Sequence, residues 1–277
     1  MTKTIVITGA SDGIGAAAAR ELVKHGQKVV IVGRSLEKTK AIAKELGVDY
    51  FTADFSKLDE VRKLAASLKK KYKKIDVLAN NAGGMINPQQ TTVDGFGLAF
   101  QVNYLAPFLL THLLLDTLIA SKATIINTSS MAHLRAGTLR FDELSRAIKQ
   151  SGWGAYSAVK LLNILFTREL NQKYADKGVS AVAFHPGVVK TSFGTEGSKL
   201  VKAFYGSWVA SAVFLTPAQG ADTLVWLATH EAKTDWVPGE YYVKKKIAAT
   251  SRDARDENLA ETVWNDTMTL LDLSAPS

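Results

Sequence analysis

A chain of 277 residues, 47% hydrophobic and 22% charged, can bury one large core, and it shows neither low-complexity stretches nor repeats at solenoid periods. With no cysteine it is excluded from disulfides, thiolate metal sites and cysteine nucleophiles, and its five scattered histidines have no metal-ligand spacing, so no metal is expected. The net charge of +8 raises nucleic-acid binding, but the basic clusters Lys69–Lys74 and Lys244–Lys246 lie on no recognisable binding module and read as solvated faces, so neither nucleic acid nor membrane is an expected partner.

The N-terminus runs directly into Ile5–Thr8, an apolar β-branched run. No basic head and long apolar core precede it, so no signal peptide is expected and the cytoplasm is the default compartment. Further strand-like runs follow at Val29–Val32, Ile75–Ala79, Thr124–Asn127 and Val179–Ala183. Between them, segments such as Ala16–Lys24 and Asp59–Lys71 carry apolar residues at helical spacing. The most apolar long segment, Leu98–Ser121, includes Gln101, Asn103, His112 and Asp116, which suits a buried helix better than a membrane span. Nearly continuous apolar strands alternating with helices predict an α/β fold. It is a doubly wound parallel sheet with helices on both faces, a single Rossmann-type domain over 1–277.

In such folds ligands sit beyond the carboxyl ends of the strands, so the residues just after each strand matter most. The first strand leads into Thr8-Gly9-Ala10-Ser11-Asp12-Gly13-Ile14-Gly15, which opens a helix. Glycines there allow a tight turn against a pyrophosphate, and the helix N-terminus offers free N–H groups; a turn without ligand is the plainer reading. After the second strand come Gly33 and Arg34, with Lys38 a turn later and no acid before Glu37. An acid would hold the ribose hydroxyls of NAD(H), whereas arginine accommodates a 2′-phosphate, so NADP(H) is favoured over NAD(H), with a plain surface arginine as the alternative.

The spacing Gly9-x3-Gly13-x-Gly15 resembles the short-chain dehydrogenase/reductase family, in its compact single-domain branch. The remaining pattern follows in order: Asp54, Asn80-Asn81-Ala82-Gly83, Asn103, Ser130, Tyr156-x3-Lys160, Pro186-Gly187 and Thr191. The resemblance implies a cofactor site drawn from Gly9, Ser11, Asp12, Gly13, Ile14, Gly15, Arg34, Lys38, Asp54, Asn81, Ala82, Gly83, Tyr156, Lys160, Pro186, Gly187, Val189 and Thr191. Asp54 would bond the adenine. Asn80 and Asn81 would line the adenosine side or simply brace the sheet. Thr191 would touch the carboxamide or phosphates, or be an ordinary loop threonine.

Tyr156 and Lys160, at i and i+4, share a helix face. A phenol titrates near 10 in water, so a base at neutral pH needs nearby positive charge, which the lysine ammonium and an oxidised nicotinamide would supply. The same spacing recurs in Tyr241/Lys245 and Tyr242/Lys246, but that run reads as a strand, where four residues span roughly 13 Å and cannot cooperate. Ser130, selected over Ser129 by the family's Asn-x-x-Ser pattern, is implied to bond the substrate oxygen, and Asn103 to hold a water linking Lys160 to solvent. The expected reaction is hydride transfer between the nicotinamide and a carbonyl or alcohol, with Tyr156 as acid/base and Asn103, Ser130 and Lys160 completing the catalytic set.

An extra amphipathic helix is expected over Leu139–Gln150. With His185-Pro186-Gly187-Val188-Val189 and Leu165–Leu170, it is similar to the retinol-dehydrogenase-like and protochlorophyllide-reductase-like subgroup, whose members take bulky apolar substrates. The absence of cysteine argues against the light-driven reductase itself. Residues 192–215, glycine- and aromatic-rich, are expected to form a substrate loop, either a lid or a packed helix. Partner chains stay open, a homo-oligomer included. Two other readings are a catalytically silent NADP(H)-sensing protein and a nucleotide-sugar epimerase or dehydratase. The intact residue set opposes the first, and the glycine spacing and short chain oppose the second.

Overall fold

The computed structural model describes residues 2–87, 89–145, 152–189 and 215–274. Thr191 and 192–214 of the expected substrate loop lie outside the described residues. The chain order begins β1 (Thr4–Thr8), α1 (Gly13–Lys24), β2 (Lys28–Gly33), α2 (Leu36–Leu46), β3 (Asp49–Thr52), α3 (Leu58–Lys71) and β4 (Val77–Asn80). It continues with α4 (Leu98–Phe100), a π turn (Gln101–Leu105), α5 (Ala106–Leu113), α6 (Leu115–Ala120) and β5 (Thr124–Thr128). A 3-10 helix (Met131–Arg135), α7 (Phe141–Ser145), α8 (Gly152–Tyr174) and β6 (Ser180–His185) follow. The described residues end with α9 (Pro217–Thr229), the β7 (Tyr241–Val243) and β8 (Lys246–Ile247) pair, and α10 (Glu257–Leu270).

One sheet joins all eight of these strands in the order β3-β2-β1-β4-β5-β6-β7-β8, parallel except for β7 against β8. Alternate residues of each inner strand serve opposite cores. Val6, Leu78, Ile125 and Ala181 pack with Leu64 of α3, Leu109 of α5, Leu162 of α8 and Val263 of α10. Ile7, Ala79, Ile126 and Val182 pack with Leu22 of α1 and Leu224 of α9. Burial on both faces is why these strands are apolar without alternation. Helix starts are capped by their own residues: Asp12 accepts from Gly13 N at 2.7 Å, Asp256 from Leu259 N at 3.0 Å, and Thr216 with Gln219 forms a capping box on α9.

Three expectations are revised. The expected long helix over 98–121 is interrupted by the π turn and by a break between α5 and α6. Of the extra helix expected over 139–150, Phe141–Ser145 is helical, and 146–150 lie outside the described residues. The run containing Tyr241 and Lys246 is not one strand: the chain reverses at Lys244 and Lys245, with φ of 51° and 63°, and β8 returns along β7. No helix among the described residues is long and apolar enough to cross a membrane.

Candidate active site

The strand order reverses between β1 and β4, and the chain leaves these two strands in opposite directions, which opens a crevice at their carboxyl ends. The glycine turn lies on its floor. Gly9 has φ of 67°, and a Cβ there would stand 2.7 Å from the Cα of Ala82, so the turn lies directly against the loop after β4. Asn81 locks the two together: its side chain donates to the Thr8 carbonyl at 3.0 Å, while the N–H groups of Asn81 and Ala82 both donate to the Thr8 hydroxyl at 3.0 Å. Asn80 is buried and donates to Thr111 and Asn127, each at 2.9 Å. Bracing is therefore what both asparagine side chains do here.

Ser11, Asp12, Gly13 and Ile14 form the accessible rim of the turn, and Gly15 is buried behind it. Arg34 is exposed just after β2. Lys38 reaches back to the turn, with its Nζ 3.8 Å from the Asp12 carboxylate. Asp54 follows β3 and receives the Ser56 hydroxyl and N–H on one carboxylate oxygen, at 2.8 and 3.0 Å. At the far side Pro186 and Gly187 follow β6, and Val189 forms a parallel bridge to Leu215. Gly83 has φ of 142°, and a Cβ there would collide with Asn103 Oδ1. The same oxygen accepts from Gly84 N at 2.8 Å, and Asn103 Nδ2 donates to the Ala99 carbonyl at 2.9 Å. The Asn103 side chain is thus committed to the protein, and it sits inside a π turn, where the helical ladder is interrupted.

Ser130, Tyr156 and Lys160 come together at the end of β5 and the first turns of α8. The Ser130 hydroxyl accepts from Ala132 N at 3.2 Å and hydrogen-bonds the Tyr156 phenol. Lys160 is buried, donates to the Thr128 carbonyl at 3.0 Å and lies 5.5 Å from the centre of the Tyr156 ring. Ser129 points away and donates to the Lys160 carbonyl at 2.7 Å, fixing α8 against β5. Burial lowers the Lys160 pKa to about 8. Burial also pushes the Tyr156 phenol up, and its bond with Ser130 opposes this. The Lys160 Nζ, held by Thr128, lies over the Tyr156 ring, where its ammonium and an oxidised nicotinamide would together oppose that rise.

His133 and Tyr241 were missed as neighbours of the site, and His185 was noted merely as part of a motif. His133 Nδ1 bonds the Ser130 carbonyl at 2.7 Å, and Tyr241 lies close enough to Tyr156 to feel its charge. A histidine three residues beyond Ser130 was the one local signal available for the first. For Tyr241, 111 positions beyond Ser130, strand pairing alone places it.

A family model described as short chain dehydrogenase matches residues 3–199. The chain belongs to the short-chain dehydrogenase family. This short-chain dehydrogenase is 37% identical to retinol dehydrogenase 13 of Homo sapiens over 287 residues, covering 99% of the chain and 86% of that protein. It is 38% identical to retinol dehydrogenase 12 of Mus musculus, over 97% of the chain and 86% of the relative. A Streptomyces protein provisionally named daunorubicin C-13 ketoreductase DnrU is 37% identical, over 95% and 90% of the two chains. Among solved structures, an uncharacterised protein from Mycobacterium paratuberculosis superposes with a TM-score of 0.78 at 30% identity, covering 99% and 95%. The retinol-dehydrogenase-like resemblance therefore holds, and this short-chain dehydrogenase is an oxidoreductase of alcohol or carbonyl groups that uses a nicotinamide cofactor. Its residues fit such a group: a glycine turn pressed flat against the β4 loop, a helix N-terminus behind it and two exposed cations beyond β2.

Proposed function

We propose that this protein is an NADP(H)-dependent oxidoreductase of bulky apolar carbonyls and the matching alcohols, with Tyr156 as the acid/base. The observation that carries the reading is the Tyr156 phenol bonded to Ser130, with a buried Lys160 beside it, at the open end of the crevice. NADPH, when bound, supplies the hydride. Ser130 then donates to the substrate oxygen and shares the charge that develops there. Tyr156 delivers the proton to that oxygen in reduction and accepts it in oxidation. Lys160 holds the proton balance from its buried position, and its lowered pKa lets it exchange a proton near neutral pH. Asn103 shapes the loop after β4 through Gly84, and its proposed role is to hold the water that links Lys160 to solvent.

Exposed Met131, Leu134, Trp153 and Val188 sit beside Ser130, Tyr156 and the loop after β6, a rim suited to apolar bulk. The names of the relatives, retinol dehydrogenases and a daunorubicin ketoreductase, agree with that size and character. Arg34 and Lys38 support NADP(H) over NAD(H). The test is steady-state turnover of NADPH and NADH with aldehydes and ketones of rising size, retinaldehyde among them, on the native protein and Tyr156→Phe. Expected are a preference for NADPH, kcat/KM rising with apolar bulk, and loss of turnover in the variant while NADPH still binds. A Tyr156→Phe protein keeping more than about a tenth of kcat, only about 1.4 kcal/mol of barrier, overturns the acid/base assignment.

A further inference from the structure

Three aromatic side chains gather near the catalytic group: His133 bonds the Ser130 carbonyl, Tyr241 lies within electrostatic range of Tyr156, and His185 within range of His133 and Lys160. His133 comes from the 3-10 helix after Ser130, His185 from the end of β6 and Tyr241 from β7. Ala183 pairs with Tyr241 across the parallel strands, so His185, two residues further on, projects from the same face as Tyr241. That is the face covered by α8, which carries Tyr156 and Lys160. His133 meets Tyr241 edge to face, with ring centres 4.9 Å apart. A carbonyl can only accept, so His133 Nδ1 donates to Ser130, and its Nε2 is left as an acceptor.

That Nε2, His185 Nδ1 and the Tyr241 hydroxyl are each buried without a hydrogen-bond partner among the described residues. The three residues are 0%, 8% and 1% exposed. A buried polar atom without a partner is rare, and a cluster of them needs an explanation. Phenylalanine would fill the apolar surroundings of Tyr241 equally well, whereas the neighbouring Tyr242 uses its hydroxyl, which accepts from Val237 N at 2.8 Å. One small molecule able both to donate to imidazole and to accept from a phenol satisfies the set, and water is that molecule.

We propose that His133, His185 and Tyr241 hold one water behind Tyr156, and that through it the Tyr241 hydroxyl stabilises the ionised form of Tyr156. The inference rests on Tyr156 being the acid/base. Ser130 bonds that phenol, Lys160 lies over its ring and Tyr241 is within electrostatic range of it, while His133 bonds the Ser130 carbonyl and His185 lies within range of His133 and Lys160; of these groups Lys160 alone is charged at neutral pH. Burial keeps both imidazoles neutral and Tyr241 protonated, so the phenol can donate when Tyr156 gives up its proton. Tyr241 touches neither substrate nor cofactor in this scheme and is a positioning residue.

The test is ultraviolet titration of the phenolate, with and without NADP+, on the native protein, Tyr241→Phe and His133→Asn. The same titration of Tyr156→Phe identifies the transition that belongs to Tyr156. Asparagine can still donate to the Ser130 carbonyl but lacks the Nε2 acceptor. Both variants are expected to raise the Tyr156 transition by about one unit, a tenfold loss of phenolate at any pH below it. NADPH affinity should stay unchanged. An unmoved transition in whichever variant folds overturns the proposal. A transition still present in Tyr156→Phe, or full turnover by that protein, overturns instead the acid/base reading beneath it.

Discussion

Arg34 makes no ion pair among the described residues, and it stands exposed where β2 ends. A charged hydrogen bond to a 2′-phosphate is worth roughly 1.5–3 kcal/mol, or about one to two powers of ten in affinity. Arg34→Ala should therefore weaken NADPH by that factor and leave NADH nearly unchanged, as dissociation constants for both cofactors would show. A parallel loss for both would mean that Arg34 does not read the phosphate. Building a carboxylate at Gly33 is a poorer test, because a Cβ there collides with the Thr39 hydroxyl and stands 2.7 Å from Ser11 Cβ. At this scale the sequence was informative about identity and silent about direction. Spacing put Tyr156 and Lys160 on one face and Ser130 within reach. It could not show that Lys160 binds the Thr128 carbonyl, or that burial raises the phenol, since both depend on how closely α8 lies on β5.

The elements that were legible are those whose burial is two-sided. β1, β2, β5 and β6 are continuous apolar runs and were readable as such, whereas β3 is an edge strand of alternating exposure, Asp49–Thr52, with no such signal. The hairpin of β7 and β8 was hidden because its turn is made of Lys244 and Lys245 at positive φ, where glycine or asparagine would have announced it. The π turn at Gln101–Leu105 has no compositional mark either. What joins the elements is a buried polar ladder. Asn80 donates to Thr111 and Asn127, and Asn127 donates to Thr167, each at 2.9 Å, tying α5, β4, β5 and α8 together. Asn127→Ala removes an acceptor and a donor at once and leaves buried partners unmatched, at a cost of about 1–3 kcal/mol per group left unsatisfied. Chemical denaturation should show a lower midpoint with an unchanged slope. An unchanged midpoint would mean that the ladder relaxes without loss.

Across the whole molecule, the face of the sheet that carries α8 holds both the acid/base and the two buried histidines, so stability and chemistry share one core. His185 is held neutral with a pKa near 4, mainly by burial, against an ordinary value of 6.5, and His133 is shifted the same way. Between those two values the unfolded chain binds more protons than the folded one, so stability falls as the pH drops from 6.5 toward 4. For His185 the loss is on the order of 3 kcal/mol, and urea unfolding at neutral and at acid pH should show a dependence that shrinks in His185→Gln. The same core is closed from outside by α10. Trp264 is buried there, with ring centres 4.9 Å from Phe108, 6.0 Å from Phe166 and 6.2 Å from Tyr174, so one side chain joins α10 to α5 and to the distal half of α8. Truncating a buried aromatic costs about 3–5 kcal/mol, and in a chain of this size each kcal/mol moves the melting point by about 2–4 °C. Trp264→Ala should therefore melt roughly 10 °C lower. Tyr156 and Lys160 lie at the opposite end of α8, held by Ser129 and Thr128 of the sheet, so kcat at room temperature should stay within about twofold. Thermal denaturation beside kcat at 25 °C separates the two effects. A kcat that falls in step with the melting point would show that α10 sets the geometry of the acid/base as well as covering the core.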